Sequence, residues 1–292
     1  MNPFAVGLVL TSTFMHAGWN LLARKGRQES TFIWRMLLTT VAMGALPFLL
    51  GEMRSPLLTL GAWGCVLPSG IFCGLYYFAL VRSYELGDFS AVYPVVRGLP
   101  VVIVAVGDVV WGRTLTPFGW LGIGLVVVGC ALAPLHSFRE LSLGQYATKG
   151  LKWMVLTALG TVAYTLLDKA GTGLILQGPV PAARYGYVFF LVSAATYGGL
   201  RVALAKEGKQ SAGTGWRLPI LAAALNFGAY WLVLWSYQLT QNASYVIAFR
   251  QFGIVFGVLA ALLIYREEGK GTRMLAVLVL TTGLILIALW GG

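Results

Sequence analysis

Two arginines stand inside apolar stretches of the sequence, where a charged side chain is difficult to accommodate. Arg97 lies in SAVYPVVRGLPVVIVAV, and Arg250 lies in SYVIAFRQFGIVFGVLA. A guanidinium group keeps its charge at every physiological pH and presents its N–H donors as a planar fork, so two of them could hold one carboxylate, phosphate or phosphonate. The pair therefore predicts a binding site for a small anion.

Polar and aromatic side chains in other apolar stretches could complete this site. His16 could carry a proton, since the reference pKa of histidine is near 6.5, or could form a neutral hydrogen bond between helices. Asn20 follows four residues later and shares its helical face, and Asn226 could line a cavity or bond to a neighbouring helix. The predicted substrate-binding residues are Arg97, Arg250, His16, Asn20, Trp19, Tyr77, Tyr230, Trp231 and Asn226.

The arginines also have a structural interpretation, in which they join helices. Pro94 and Pro100 flank Arg97, lack N–H groups and leave backbone carbonyls to which its guanidinium could bond. No proline flanks Arg250, so a helix break is predicted beside Arg97 alone. Acidic residues toward the ends of the same stretch could instead pair with Arg97: Glu85, Asp88 and Asp108.

The sequence does not indicate catalysis. It has no Walker phosphate loop, no metal-ligand spacing and no nucleophile constellation, so we expect no catalytic residue, no metal site and no cofactor, and we predict that the protein is not an enzyme. No Asp or Glu stands in the middle of an apolar stretch, and Asp168 with Lys169 is interpreted as an interfacial pair. A cavity lined by arginines would repel cations, which disfavours a cationic substrate.

The composition shows which elements must position these residues. Of 292 residues, 58% are hydrophobic and 11% are charged, and the mean hydropathy is +0.78, values typical of an integral membrane protein. Apolar runs of about twenty residues cross a bilayer as helices, whereas the strands of membrane barrels are about half as long. We predict an all-α membrane protein without a soluble domain and with ten spans, near residues 3–22, 31–50, 60–82, 90–111, 117–135, 151–169, 182–200, 218–239, 243–264 and 274–290.

The net charge of +11 predicts membrane orientation rather than binding to nucleic acid, because the basic residues lie mainly in short gaps between spans. The positive-inside rule places the gaps after odd-numbered spans in the cytoplasm and both termini outside. Of the 21 Lys and Arg residues, those in these gaps are Arg24, Lys25, Arg27, Arg82, Arg139, Lys149, Lys152, Arg201, Lys206, Lys209, Arg217, Arg266, Lys270 and Arg273.

The sequence around the fourth span recurs around the ninth. SYELGDFSAVYPVVRGLPVV aligns without a gap on SYQLTQNASYVIAFRQFGIV, which places Arg97 on Arg250, and the same offset places Tyr77 on Tyr230. WNLLARKG near the end of the first span likewise pairs with YTLLDKAG in the sixth. We therefore predict two five-helix repeats, residues 1–147 and 148–292, which are inverted because each contains an odd number of helices. Inverted repeats around a site at the midplane are typical of secondary transporters.

These paired blocks, together with HAGWNLL in the first span and DKAG closing the sixth, resemble the drug/metabolite transporter superfamily, specifically its ten-helix members with two EamA-type repeats. A further similarity, to membrane proteins associated with phosphonate use, rests on the first-span block and on VYPVVRG. The resemblance implies a central cavity lined by spans 1–4 and 6–9, with spans 5 and 10 at the periphery, and transport without ATP hydrolysis. It also implies cytoplasmic termini in many members, opposite to the orientation that the charges predict.

The combined expectation is a secondary transporter in the cell membrane, the bacterial inner membrane, that moves a small anionic or zwitterionic organic metabolite by alternating access. Its partners would be the substrate and the lipid bilayer, with a proton or a counter-substrate as the coupling solute, and the chain would act as a monomer or a homodimer. Two alternatives stay open. One is an exporter of neutral or aromatic amino acids with structural arginines, and the other is a lipid-handling protein or scramblase that binds phosphate headgroups.

Overall fold

The regular structure of the described residues is helical throughout. The computed structural model describes residues 1–22, 30–86, 89–135, 137–138, 150–204, 215–263 and 269–291. Its helices are α1 (Pro3–Leu22), α2 (Ser30–Arg54), α3 (Leu60–Leu86), α4 (Phe89–Val110), α5 (Pro117–Leu132), α6 (Leu151–Thr172), α7 (Pro179–Ala203), α8 (Arg217–Leu239), α9 (Ala243–Arg250), α10 (Gly253–Leu263) and α11 (Lys270–Trp290). The all-α prediction is confirmed, and nine of the ten predicted spans contain one helix whose ends lie within about four residues of the expected ones. The ninth span contains two shorter helices, α9 and α10.

Part of the sequence-based prediction concerns residues outside the described ranges. The boundary between the two predicted repeats, at residues 147 and 148, lies there. So do these ionisable residues: Arg24, Lys25, Arg27, Asp88, Arg139, Lys149, Lys206, Lys209 and Arg266. The division into repeats and the membrane orientation therefore stay predictions.

Several helices are suited to a bilayer by length and composition. Large hydrophobic side chains such as Leu46, Val110 and Leu289 project from the outer surface, which is unusual for a soluble protein but natural against lipid. Within the described ranges, four segments are long and apolar enough to cross a membrane: Thr31–Arg54, Leu60–Ser83, Arg217–Leu239 and Lys270–Trp290.

The helix break lies in the ninth span, beside Arg250, and not in the fourth span, beside Arg97. α4 passes through Pro94 and Pro100 as one helix, so the break predicted beside Arg97 is wrong. A proline removes one backbone donor, but neighbouring helices and local adjustments can hold a membrane helix together around it. In the ninth span, by contrast, α9 ends at Arg250 and α10 begins only at Gly253.

Gln251 explains how the chain tolerates this interruption. Its backbone N–H donates to the carbonyl of Ala248 at 2.9 Å, three residues back rather than four, as in a 3₁₀ turn. The carbonyl of Ile247 thereby loses its α-helical partner and instead accepts a hydrogen bond from the Gln251 side-chain amide at 3.1 Å. The side chain thus satisfies the backbone at the break, directly after Arg250.

The helices pack as pairs around a centre rich in aromatic rings. α1 lies against α8, and α3 lies against α6 and α7. α5 and α11 contact each other more extensively than they contact any other helix. The buried tyrosines among the described residues are Tyr77, Tyr164, Tyr185, Tyr187, Tyr197, Tyr230, Tyr237 and Tyr245.

Candidate functional site

Both predicted arginines line one cavity between the helices. The cavity holds about 520 Å³ of empty space, with space open to solvent included. None of its described lining residues is Asp or Glu, so the charge of its walls is positive. Its polar lining consists of Arg97, Arg250, His16, Asn20, Thr161, Gln251, Tyr76 and Tyr164.

A second cavity, of about 350 Å³ with open space again included, shares part of this lining. His16, Tyr76, Tyr164 and Arg250 line both cavities. The second cavity differs in its aromatic walls, where the ring of Tyr230 stacks on the ring of Phe189 at a centroid distance of 4.6 Å. Further aromatic residues of these walls are Trp19, Tyr77 and Phe190. The two spaces together offer a cationic polar region and an aromatic region.

Arg250 carries a charge that the described residues do not neutralise. Its Cζ lies 5.7 Å from the centroid of the Tyr230 ring, within reach of a cation–π interaction. Its Nε is buried without a hydrogen-bond partner, and its guanidinium forms no ion pair with a described carboxylate. A cation withdrawn from water without a counter-ion is costly. A bound anion would remove this cost.

Arg97 is positioned by a neutral histidine. Its Nη2 lies 3.3 Å from Nε2 of His16, while the indole N–H of Trp19 donates to Nδ1 of the same ring at 3.1 Å. A neutral imidazole has one acceptor nitrogen and an imidazolium has none. In this arrangement His16 is therefore neutral, accepts from one donor at a time, and orients Arg97 without cancelling its charge.

The two predicted amides each bond to protein and also line a cavity. Nδ2 of Asn226 donates to the hydroxyl of Tyr77 at 3.0 Å and so joins α8 to α3. Nδ2 of Asn20 donates to the carbonyl of His16 at 2.8 Å within α1. Asn226 both joins two helices and lines a cavity, so it has the position for either role that the sequence suggested.

Trp231 is the one predicted binding residue that lines neither cavity. Its indole N–H donates to the carbonyl of Pro179 at 2.6 Å, between α8 and the start of α7. Successive residues of an α-helix point about 100° apart, so Trp231 turns away while its neighbour Tyr230 faces the aromatic cavity. The structure brings the other predicted residues together around the two cavities, and their contact with a substrate stays a prediction.

Comparison with known protein families matches the first part of the chain. Residues 3–134, which contain α1 to α5 and Arg97, match the EamA-like transporter family. These residues form an EamA-like transporter domain. The predicted resemblance to the drug/metabolite transporter superfamily is thereby confirmed over these residues, and the matched family is one of membrane transporters of small molecules.

The whole chain also shares its fold with a solved structure. A crystal structure superposes with a TM-score of 0.70 at 15% sequence identity, over 100% of this chain and 99% of that chain. At this identity the likeness concerns the fold alone. No curated protein is significantly similar in sequence.

The EamA-like domain and the remainder of the chain both contribute lining residues that the sequence analysis missed. Tyr164 was already aligned with Trp19 in the paired blocks, and the same offset pairs His16 with Thr161, so the repeat alone could have identified both. Gln251 gave no such signal, because its aligned partner is a glycine. Its importance depends on the helix break, which no sequence pattern indicated.

Asp168 is a buried carboxylate rather than one half of an interfacial pair with Lys169. Its side chain is fully buried and accepts hydrogen bonds from Ser69 at 2.5 Å, from Tyr185 at 3.0 Å and from Tyr230. The ammonium group of Lys169 donates instead to two backbone carbonyls at and beyond the end of α8. Adjacent residues of a helix face different neighbours, and this separates the two charges.

The acidic residues suggested as partners of Arg97 are engaged elsewhere or lie outside the described residues. Glu85 forms an ion pair with Arg82 at 2.8 Å, and Asp108 forms one with Arg113 at 2.9 Å. Asp88, the third candidate, lies outside the described residues. Neither of these two described acids therefore forms an ion pair with Arg97.

Asp108→Asn is expected to destabilise the junction between α4 and α9. The buried carboxylate accepts hydrogen bonds from the N–H of Ala243 at 3.2 Å and from the N–H and hydroxyl of Ser244 at 2.8 and 2.7 Å. An amide would direct its NH₂ group at one of these donors, and we expect a loss of about 3 kcal/mol of stability. The fall in Tm of the purified protein in detergent measures it.

Glu85→Gln provides the matched control for this substitution. It also removes a carboxylate from an ion pair, but the pair is partly exposed, and exposed pairs contribute less than about 1 kcal/mol. An unchanged Tm for Asp108→Asn, or an equal fall for both variants, would contradict the role of Asp108 at this junction.

Proposed function

We propose that the protein is a secondary transporter, not an enzyme, that moves a small anionic or zwitterionic organic metabolite across the bacterial inner membrane. The proposal depends above all on Arg250, whose charge has no counter-ion among the described residues of a cavity shared with Arg97. Two guanidinium groups on one cavity suit the oxygens of a carboxylate, phosphonate or phosphate ester. The same walls disfavour a cation.

Gln251 favours a substrate that carries a hydrogen-bond donor beside its anionic group. Its Oε1 is buried without a partner, and the residue lines the cavity together with Arg250. The amide cannot simply be reversed, because its NH₂ group satisfies the carbonyl of Ile247 at the helix break. A buried acceptor left unpaired is costly. An ammonium or hydroxyl group of a substrate could pair with it, which supports an amino acid, an aminophosphonate or a hydroxy acid.

The packing of the helices supports alternating access. In the proposed inverted repeat, α1 corresponds to α6 and α3 corresponds to α8. An exchange of the two halves then converts the α1–α8 contact into the α6–α3 contact, and both are among the most extensive in the molecule. Discontinuous helices beside a substrate site are a feature of transporters whose halves rock against each other. The break between α9 and α10, next to Arg250, offers such a point of bending.

The aromatic walls keep the amino-acid exporter as a second candidate. Phe189, Phe190 and Tyr230 could enclose an aromatic side chain in the smaller cavity. In this alternative the arginines hold helices together, and affinity follows the size of the aromatic group rather than the charge of the solute.

The proposal predicts which solutes stabilise the purified protein. We expect carboxylates, phosphonates, phosphate esters and amino acids to raise the Tm in detergent, since a ligand at a hundred times its Kd adds about 2.7 kcal/mol of stability. Cationic dyes should leave the Tm unchanged. Stabilisation by cations alone would overturn the proposal, and stabilisation restricted to aromatic amino acids and their uncharged analogues would favour the exporter.

A further inference from the structure

Asp168 is a buried carboxylate that hydroxyl groups hold without neutralising its charge. Its donors among the described residues are the hydroxyls of Ser69, Tyr185 and Tyr230, one each from α3, α7 and α8. It forms no ion pair with a described Lys, Arg or His. An acid in such a setting can exist in two protonation states, provided that both keep their hydrogen bonds.

The contacts of Ser69 allow both states. Its Oγ lies 2.5 Å from Oδ1 of Asp168 and 3.4 Å from the backbone carbonyl of Tyr164. When Asp168 is ionised, the serine hydroxyl donates to the carboxylate. When Asp168 is protonated, the acid can donate to the serine oxygen, and the serine hydrogen turns to the Tyr164 carbonyl, since a hydroxyl both donates and accepts. The change requires one proton from water and no other reactant.

Tyr230 lies between the Asp168 carboxylate and Arg250. Its hydroxyl donates to Asp168, and its ring lies 5.7 Å from Cζ of Arg250. Of the three residues that donate to Asp168, only Tyr230 lines one of the two cavities. Asp168 therefore contacts the hydroxyl of Tyr230, while Arg250 lies over its ring. Tyr230 borders the space proposed for the substrate.

We infer that an anion bound at Arg250 drives the protonation of Asp168, so that substrate and proton are bound and moved together. This inference rests on the proposed function. In the empty cavity, the charge of Arg250 stabilises the Asp168 carboxylate across Tyr230. An anion cancels that charge, and the carboxylate then takes up a proton. At a separation on the order of 10 Å and an effective dielectric constant of about 20, one unit charge changes proton affinity about tenfold.

Linkage makes the effect reciprocal. If the anion increases the proton affinity of Asp168 about tenfold, protonation of Asp168 increases the affinity for the anion by the same factor. Asp168 is negative at alkaline pH and disfavours a second negative charge nearby, whereas at acid pH it is neutral. Anion affinity should therefore rise as the pH falls.

The surroundings of Asp168 contain few other charges. Thiols and phenols are neutral near pH 7, and Asp108 has its own partner in Arg113. The titratable groups of neighbouring helices that interact electrostatically with Asp168 are Cys65 and Cys73 from α3, Tyr185 from α7, and Tyr230 and Tyr237 from α8. Arg250 from α9 lies over the Tyr230 ring, and Asp108 from α4 acts on Lys169. Lys169 is the remaining cation on α6 itself, and it is bound to backbone carbonyls.

Titration calorimetry with lactate and methanesulfonate tests the inference, because both probes keep one negative charge between about pH 6 and pH 8. We expect binding to the wild type to be about tenfold tighter at the acid end. Buffers with different ionisation enthalpies should reveal proton uptake on binding. Asp168→Asn, which keeps one acceptor oxygen for the surrounding hydroxyls, should bind the probes with an affinity that does not change with pH and without proton uptake.

Two further variants keep the result interpretable. Tyr230→Phe retains the ring beside Arg250 but removes a donor to the ionised carboxylate, so the pH at which the affinity changes should move upward. His16→Gln removes a cavity residue whose reference pKa lies near neutral pH, and it should weaken binding while the pH dependence persists. Glu85→Gln, which removes a carboxylate remote from the site, should behave as the wild type.

The outcomes separate the inference from the proposed function. Binding that is independent of pH in the wild type would overturn proton coupling but leave an anion transporter. A pH dependence that survives Asp168→Asn and disappears in His16→Gln would also overturn the inference, and it would assign the proton to the histidine. Failure of every carboxylate, phosphonate and sulfonate to bind the wild type would overturn the proposed function itself.

Discussion

Arg250→Ala is expected to weaken anion binding by a factor of about 10² to 10³ and to leave the Tm of the ligand-free protein unchanged or higher. Truncation of one partner in a buried charge pair typically costs about 2 to 5 kcal/mol of binding free energy. The guanidinium has no counter-ion among the described residues, and its Nε has no hydrogen-bond partner, so removal of the charge relieves a desolvation cost in the empty protein. Calorimetric Kd values and thermal unfolding measure the two effects.

These two measurements distinguish a binding arginine from a structural one. If Arg250 joined helices, its alanine variant would unfold at a lower temperature, whatever its effect on binding. Arg250→Lys keeps the charge but not the planar fork, and we expect an intermediate loss of about tenfold in affinity. Arg82→Ala removes a partly exposed arginine from an ion pair with Glu85 and should change neither quantity by more than a small amount.

The sequence was informative where a residue contradicted its surroundings. A charge in a run of apolar residues is conspicuous, and its recurrence at the aligned position pointed to Arg97 and Arg250 together. The structure places both on one cavity. Hydropathy likewise located the spans, because a helix that faces lipid must be apolar over most of its length.

Asp168 shows why other parts of the site could not be predicted. It lies near the end of a span, where charged residues are common, and its sequence neighbour Lys169 suggested a surface pair. Its burial depends on Ser69 and Tyr185, which come from helices distant in sequence. The break after Arg250 was missed for a similar reason, since the side chain of Gln251 replaces a backbone hydrogen bond at a place without proline.

The aligned blocks also show that the buried acid belongs to one half only. The pairing of WNLLARKG with YTLLDKAG places Asp168 opposite Ala23, whereas Arg97 and Arg250 occupy equivalent positions. In the proposed inverted arrangement, the two halves would therefore share the anion between equivalent arginines, and only the second half would respond to the proton. The return of the transporter to its starting conformation would then depend on the protonation state of Asp168 in the second half.

Gly122→Leu is expected to destabilise the protein by about 3 kcal/mol or more, through the contact between α5 and α11. A Cβ atom added at Gly122 would lie 2.7 Å from the carbonyl oxygen of Gly283, and one added at Gly283 would lie 2.6 Å from the carbonyl oxygen of Gly122. The two backbones touch at this crossing, as small residues permit in membranes. A backbone carbonyl cannot rotate away like a side chain, so the helices must separate.

Gly124→Leu is the control for that variant, because it introduces the same side chain two residues along the same helix. No heavy atom lies within 4 Å of a Cβ added at Gly124, and this position is exposed. Leucine also favours a helix more than glycine does, so the Tm should stay constant or rise. Equal falls in Tm would contradict the close contact at Gly122. Since α5 and α11 pack mainly on each other, away from the arginine-lined cavity, the folded fraction of Gly122→Leu should bind anions with the wild-type Kd, and a changed Kd would instead connect this pair of helices to the site.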